Sequence, residues 1–141
     1  LIDRTRVAMT GNSGGGVLTA YTAAIDTRIR VAIPSCSFTS VMSAEGFIFH
    51  CDCCLVPKLR DWGGWKELGG LVAPRHLLIV HGVKDGLHHR PTVEKLAANI
   101  QEIFQVAGAP NHTAHEWGNN GHRFYPSLMW PFIEKGMAER N

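Results

Sequence analysis

Apolar residues in this chain follow two rhythms. Arg6-Val7-Ala8-Met9-Thr10, Arg30-Val31-Ala32-Ile33-Pro34 and Pro74-Arg75-His76-Leu77-Leu78-Ile79-Val80-His81 are short unbroken runs, the last closed by Gly82. Such runs predict strands buried on both faces. Between them the pattern turns helical. Val17 to Ile25 is alanine-rich. From Thr92 to Val106, apolar Val93, Leu96, Ala97, Ile100, Ile103 and Phe104 recur at helical spacing until Gly108 and Pro110 end the helix. Thr113 to Trp117 predicts a final strand and Leu128 to Met137 a final helix. The stretch 37–72 has neither rhythm and reads as an irregular excursion between strands. The alternation predicts one α/β domain over 1–141, a mostly parallel sheet with helices on both faces.

Composition narrows the function. The 141 residues suffice for one domain with a core, 45% are apolar and 18% charged, and the formal charge is only +2. Lysines and arginines form no run, so no nucleic-acid surface is expected. No apolar stretch approaches membrane-spanning length. Leu1-Ile2-Asp3-Arg4 has neither an initiating Met nor a signal-peptide pattern, which leads to the expectation that N-terminal strands lie outside this chain. The localisation stays open. The cysteines, Cys36, Cys51, Cys53 and Cys54, are not spaced as a disulfide framework and lean toward reduced thiols and a cytoplasmic setting.

Chemistry enters at Gly11-Asn12-Ser13-Gly14-Gly15, a G-x-S-x-G pattern with a strand running in and a helix running out. A nucleophilic serine needs this setting: a strained strand-to-helix turn with small neighbours exposes its hydroxyl at the strand's C-terminal end. The Gly14 N–H, opening the helix, would face a developing oxyanion. A glycine-rich phosphate turn is the rival reading, but the P-loop lysine is absent. The nucleophile also needs a histidine base and a carboxylate to orient it, in the chain order Ser, Asp or Glu, His. Asp85 stands three residues beyond Gly82, in the loop where the acid belongs, although Lys84-Asp85-Gly86 is also turn chemistry. Asp52 and Asp61, inside the excursion, are competitors of lower rank, and Asp26 reads as a helix-end or turn residue. Among eight histidines, His122 alone follows the last strand in a glycine-flanked loop; His112 and His115 lie before or within that strand, and His88 and His89 are expected to be exposed.

His50-Cys51-Asp52-Cys53-Cys54 carries metal-ligand residue types, yet no second ligand pair accompanies it. Buried thiols are the expectation, with no metal and no cofactor. Phe38, Trp62 and Trp65 are candidate walls of a substrate pocket, with core packing the alternative.

Taken together, these residues resemble the acetyl xylan esterase-like and dipeptidyl-peptidase-related branch of the α/β-hydrolases, as its C-terminal half. The resemblance rests on Thr10 to Gly16, His50 to Cys54, Ala73-Pro74-Arg75 leading into Leu77 to Gly82, Lys84-Asp85, and Gly121-His122-Arg123-Phe124-Tyr125. It implies Ser13 as nucleophile, Asp85 as acid and His122 as base, acting on carboxylic esters, often acetyl groups on carbohydrate, without a metal. Two departures stand out. Gly86-Leu87-His88-His89 replaces the family's proline after the acid, which implies a looser loop. The segment before the nucleophile strand, which would supply the second oxyanion donor, is not in this chain.

The expectation is therefore a serine carboxylester hydrolase working by acyl transfer on a small-molecule or carbohydrate ester. A peptidase on the same scaffold and a non-catalytic α/β binding module are the alternatives. An apolar strand at Arg6 to Thr10 lacking a neighbour would favour self-association through its edge.

Overall fold

The computed structural model describes residues 3–39, 42–43, 46–47, 54 and 56–139. The elements, in chain order, are strand β1 (Val7–Asn12), helix α1 (Gly14–Ile25), β2 (Ile29–Ser35), a two-strand ribbon of β3 (Met42–Ser43) and β4 (Gly46–Phe47), short helices α2 (Leu59–Trp62) and α3 (Trp65–Gly70), β5 (His76–Gly82), α4 (Arg90–Val106), a 3₁₀ turn (Pro110–His112), β6 (Thr113–Gly118) and α5 (Pro126–Ala138). The ribbon and the two short helices occupy the stretch predicted as irregular. His50, Cys51, Asp52 and Cys53 lie outside the described residues.

Strands β1, β2, β5 and β6 form one parallel sheet in that order. Side chains of β5 alternate between its faces. Leu77 and Ile79 join one apolar cluster, with Val17, Ala20 and Ala23 of α1, Leu68 of α3, and Leu96, Ile100 and Phe104 of α4. Leu78 and Val80 join the other, with Val31 and Ile33 of β2 and with Tyr125 and Met129. Helices thus cover both faces, which is why the strands read as unbroken apolar runs. The last helix begins at Pro126, two residues before its apolar pattern. Proline suits a first helical turn because its missing N–H would be unsatisfied there in any case. The Arg75 guanidinium, just ahead of β5, donates to the carbonyls of Ala23 (2.8 Å), Ile29 (2.8 Å) and Leu71 (3.0 Å), tying the end of α1 to β2 and α3. Cys36 and Cys54 are buried thiols, and burial raises Cys54 to about 11.

Candidate active site

Parallel strands in register bring their C-terminal ends to one edge of the sheet: Asn12 pairs with Ser35, Ser35 with Val80, and Gly82 with Gly118. Ser13, Cys36, Asp85 and His122 all follow those ends. The switch from strand to loop at one rim is what gathers them.

Ser13 adopts φ 57°, ψ −123°, between β1 and α1. A side-chain-bearing residue held there costs about 1–3 kcal/mol, met here by the fold around it. Its N–H donates to the Ser35 carbonyl at 2.9 Å and its carbonyl accepts from Val17 N–H at 3.0 Å. The demand for small neighbours falls on two positions. A Cβ on Gly11 would lie 2.3 Å from the Gly15 carbonyl oxygen, and one on Gly16 would lie 2.2 Å from Ser37 Oγ. Gly14 and Gly15 face open space. The first amides of α1, beginning with Gly14 N–H, have no carbonyl within the helix to bind.

Asp85 is held from several sides. Its side chain is 1% exposed, and Oδ2 accepts from His122 Nδ1 at 2.7 Å. Oδ1 accepts the Leu87 N–H at 3.1 Å, and the Asp85 N–H donates to the Gly82 carbonyl at 3.0 Å. The loop expected to be loose for want of a proline is therefore pinned. His88, expected to be exposed, has a side chain 0% exposed, with Nε2 3.6 Å from Asp85 Oδ2. The reason is an i, i+3 turn that folds it back over the carboxylate, with the His88 N–H donating to the Asp85 carbonyl at 3.4 Å.

The His122 loop is fixed to the Asp85 loop by Val83 N–H to Gly118 O (2.9 Å) and Lys84 N–H to Asn120 O (3.0 Å). Tyr125 Oη adds a 2.5 Å bond to the Gly121 carbonyl. A carboxylate only accepts, so the proton of the 2.7 Å bond lies on His122 Nδ1, leaving Nε2 as an acceptor in the neutral ring. His122 is partly open to solvent. Ser13 Oγ is hydrogen-bonded to neither partner; such contacts commonly tighten only with substrate present.

Behind this pair runs a train of rings. His88 stacks on His122 at 6.0 Å, His81 meets His88 at 4.7 Å, and His81 Nδ1 lies 3.3 Å from His115 Nε2. Burial, reinforced by the neighbouring rings, holds His81 well below the usual histidine range. Burial brings His115 down to about 4. Both are neutral near pH 7 and add no positive charge beside Asp85. Cys36 Sγ lies within 4.8 Å of the Asp85 and His122 donor atoms, and donates to the Arg123 carbonyl at 3.5 Å. Burial raises its thiol. Neither Cys36 nor His88 was singled out from the sequence. The four-residue turn Asp85-Gly86-Leu87-His88 was the available signal for His88; none pointed to Cys36.

The other candidates lie apart. Phe38 and Trp65 meet edge to face at 5.0 Å inside the core, and Trp62 is 88% exposed. Asp26 binds the Arg28 guanidinium at 2.7 Å, and Asp61 is exposed in α2. His89 Nδ1 meets Thr92 Oγ1 at 2.8 Å at the start of α4, and His112 lies at the opposite end of the sheet.

No family model matches the chain. The "Putative hydrolase YtaP" of Bacillus subtilis (strain 168) is 30% identical over 116 residues, covering 77% of this chain and 37% of that protein. A carbohydrate esterase family 15 (CE15) glucuronoyl esterase from Caldicellulosiruptor kristjansonii superposes with a TM-score of 0.75 at 16% identity, covering 99% of this chain and 45% of that one. A "putative acetyl xylan esterase (BF1801)" from Bacteroides fragilis NCTC 9343 superposes with a TM-score of 0.73 at 14% identity, covering 98% and 44%. The chain thus spans less than half the length of each of these proteins. Its four parallel strands with flanking helices form part of an α/β-hydrolase fold, related to that of the CE15 glucuronoyl esterases and of the "putative acetyl xylan esterase", and the chain is homologous to the "Putative hydrolase YtaP".

Proposed function

We propose that the chain carries the catalytic triad of a serine carboxylester hydrolase, with Ser13 as nucleophile, His122 as base and Asp85 as the acid that orients it. The observation that carries the reading is the 2.7 Å bond from His122 Nδ1 to a buried Asp85 carboxylate, on the rim that also holds Ser13 in its strained turn. In this reading Ser13 Oγ attacks the ester carbonyl carbon while His122 Nε2 takes the hydroxyl proton. Asp85 stabilises the imidazolium that forms, and Gly14 N–H donates to the oxyanion. The tetrahedral adduct collapses, His122 returns the proton to the leaving alcohol, and water repeats the sequence on the acyl-enzyme.

The names of the solved relatives favour an ester on a carbohydrate, whether acetyl or glucuronoyl. The test is labelling with a fluorophosphonate probe, wild type beside Ser13→Ala, read by intact mass with circular dichroism confirming folding. One adduct per chain, lost in Ser13→Ala, is the expected outcome. Folded wild type that takes no label, or an adduct retained in the variant, overturns the assignment of Ser13.

A further inference from the structure

At the N-terminal end of the sheet, about 20 Å along β5 from Asp85, a second group of ligand-type side chains meets. His76 opens β5, His112 closes the 3₁₀ turn before β6, and Glu139 follows α5. Glycine at 136 lets α5 reach this place: a Cβ there would stand 2.6 Å from His76 Cδ2. Glu139 Oε2 lies 3.2 Å from His76 Nε2 and 3.1 Å from His112 Nε2, and the three donor atoms lie within 4.8 Å of one another. We infer that His76, His112 and Glu139 form a binding site for a first-row divalent cation of the zinc class, independent of the Ser13 rim.

The first argument is where the protons are. His112 Nδ1 lies 2.6 Å from the Pro74 carbonyl, which can only accept, so Nδ1 carries the proton. This is the outer hydrogen bond that commonly fixes a metal-binding histidine with its other nitrogen free to ligate. In the neutral ring the unprotonated Nε2 then lies 3.1 Å from a carboxylate oxygen. Two electron pairs at that distance repel unless positive charge lies between them. A second proton on His112 would supply it for that contact alone.

His76 makes the second contact, and there a proton does less well. Its side chain is 6% exposed, and neither nitrogen has a hydrogen-bond partner among the described residues despite the 3.2 Å approach to Glu139. The carboxylate oxygen is close but off the ring's donor axis. Both separations are near the roughly 3.3 Å that a tetrahedral metal about 2.0–2.1 Å from each atom sets between two of its ligand atoms. The two rings meet edge to face at 4.1 Å, so an ion among the three atoms has both imidazoles turn toward it. Burial also keeps His76 in its neutral, ligating form, its pKa lowered to about 4.

The surroundings meet the remaining requirements for a bound ion. An open cavity of about 600 Å³, lined by Arg4, Thr5 and Thr27 beside the three ligands, admits the ion and leaves a fourth position for water. The nearby arginines oppose a cation; of the four that line the cavity, three have engaged guanidinium groups: Arg30 with the Gly136 and Glu139 carbonyls, Arg75 with four carbonyls, Arg28 with Asp26. An ion here would clip the end of α5 to the starts of β5 and β6.

The sequence alone directed attention to the cysteine stretch and so to no metal; these ligands come together only through the fold. The test is titration of the chelator-treated full chain with Co²⁺, read by visible d–d absorption, and with Zn²⁺, read by thermal melting. Expected are one Co²⁺ per chain, a Tm that rises with Zn²⁺, and at least a tenfold loss of affinity in both His112→Ala and Glu139→Gln. These two side chains are partly exposed, so the variants keep the fold. Absence of saturable binding by wild type, or equal affinity in wild type and both variants, as binding at the cysteine stretch would give, overturns the site.

Discussion

The two ends of the sheet each set imidazoles against one carboxylate, and the contrast lies in what occupies the space between them. At the C-terminal rim Asp85 is buried and meets His122 at 2.7 Å along the donor direction. That is a proton's bond, shorter than the roughly 3.3 Å edge of a tetrahedral zinc site. Cys36 stands within reach, but its thiol is pushed toward the protonated form by burial, so this rim is poorly suited to a metal although its residue types would serve one. At the opposite end Glu139 is half-open, and two Nε2 atoms approach one oxygen at 3.1 and 3.2 Å. Residue type alone does not separate an acid–base pair from a metal site; distance, direction and the position of each proton do.

The sharpest way to break the comparison is to alter one end alone. Asp85→Asn keeps the shape of the buried side chain and removes the charge that fixes His122 as the Nδ1–H tautomer. On the proposed reading the fluorophosphonate labelling rate falls by about 10⁴-fold, while Co²⁺ binding at the far end is unchanged. A labelling rate within tenfold of wild type would remove Asp85 from the mechanism.

The next effect falls on stability. Gly16→Ala would place a methyl 2.2 Å from Ser37 Oγ and 2.6 Å from the Ser35 carbonyl, so α1 and β2 would have to separate where Ser13 is held. A loss of about 2–3 kcal/mol is expected from denaturant unfolding, of the size that overpacking a tight site produces. Gly15→Ala meets nothing within 4 Å and, at a helical position where alanine outranks glycine, should be neutral or stabilise by up to about 1 kcal/mol. Equal costs at the two positions would contradict the close approach at Gly16.

These substitutions also mark how far the sequence could be read. The four sheet strands and three long helices were legible because each carries its own periodic signal, and Asp85 and His122 because strand ends in a parallel sheet converge on one rim. The steric weight on Gly16 was not, since it comes from Ser37 and Ser35, residues beyond the next strand's start. His88 looked exposed because its segment is polar; burial there depends on a turn closing over Asp85. The His76, His112 and Glu139 cluster was the least legible. Its members lie 36 and 27 residues apart in sequence, in β5, in the 3₁₀ turn and just past the end of α5. Phe38 and Trp65, candidate pocket walls by composition, pack against each other in the core.

A smaller effect, in pH, sharpens the contrast at its N-terminal end. His76 is held down to about 4, first by burial and then by the His112 charge, with Arg30 and Lys135 adding to the depression and Glu139 opposing it. The unfolded chain regains an ordinary histidine pKa near 6.5 and so binds more protons on acidification. Stability from this residue is therefore complete above about pH 6.5 and is lost as pH falls through about 4, with roughly 2 kcal/mol gone by pH 5. In chelator, the urea midpoint should drop between pH 7.5 and pH 5, and His76→Leu should flatten that drop. His81 and His115 are depressed too and contribute in the same direction, so the variant reduces the slope without abolishing it. Zinc should steepen the wild-type dependence, because acid then has to displace the ion from His76 and His112 as well as protonate them. An identical slope with zinc and with chelator would mean that no ion is held at this end, and that both ends of the sheet are held by protons alone.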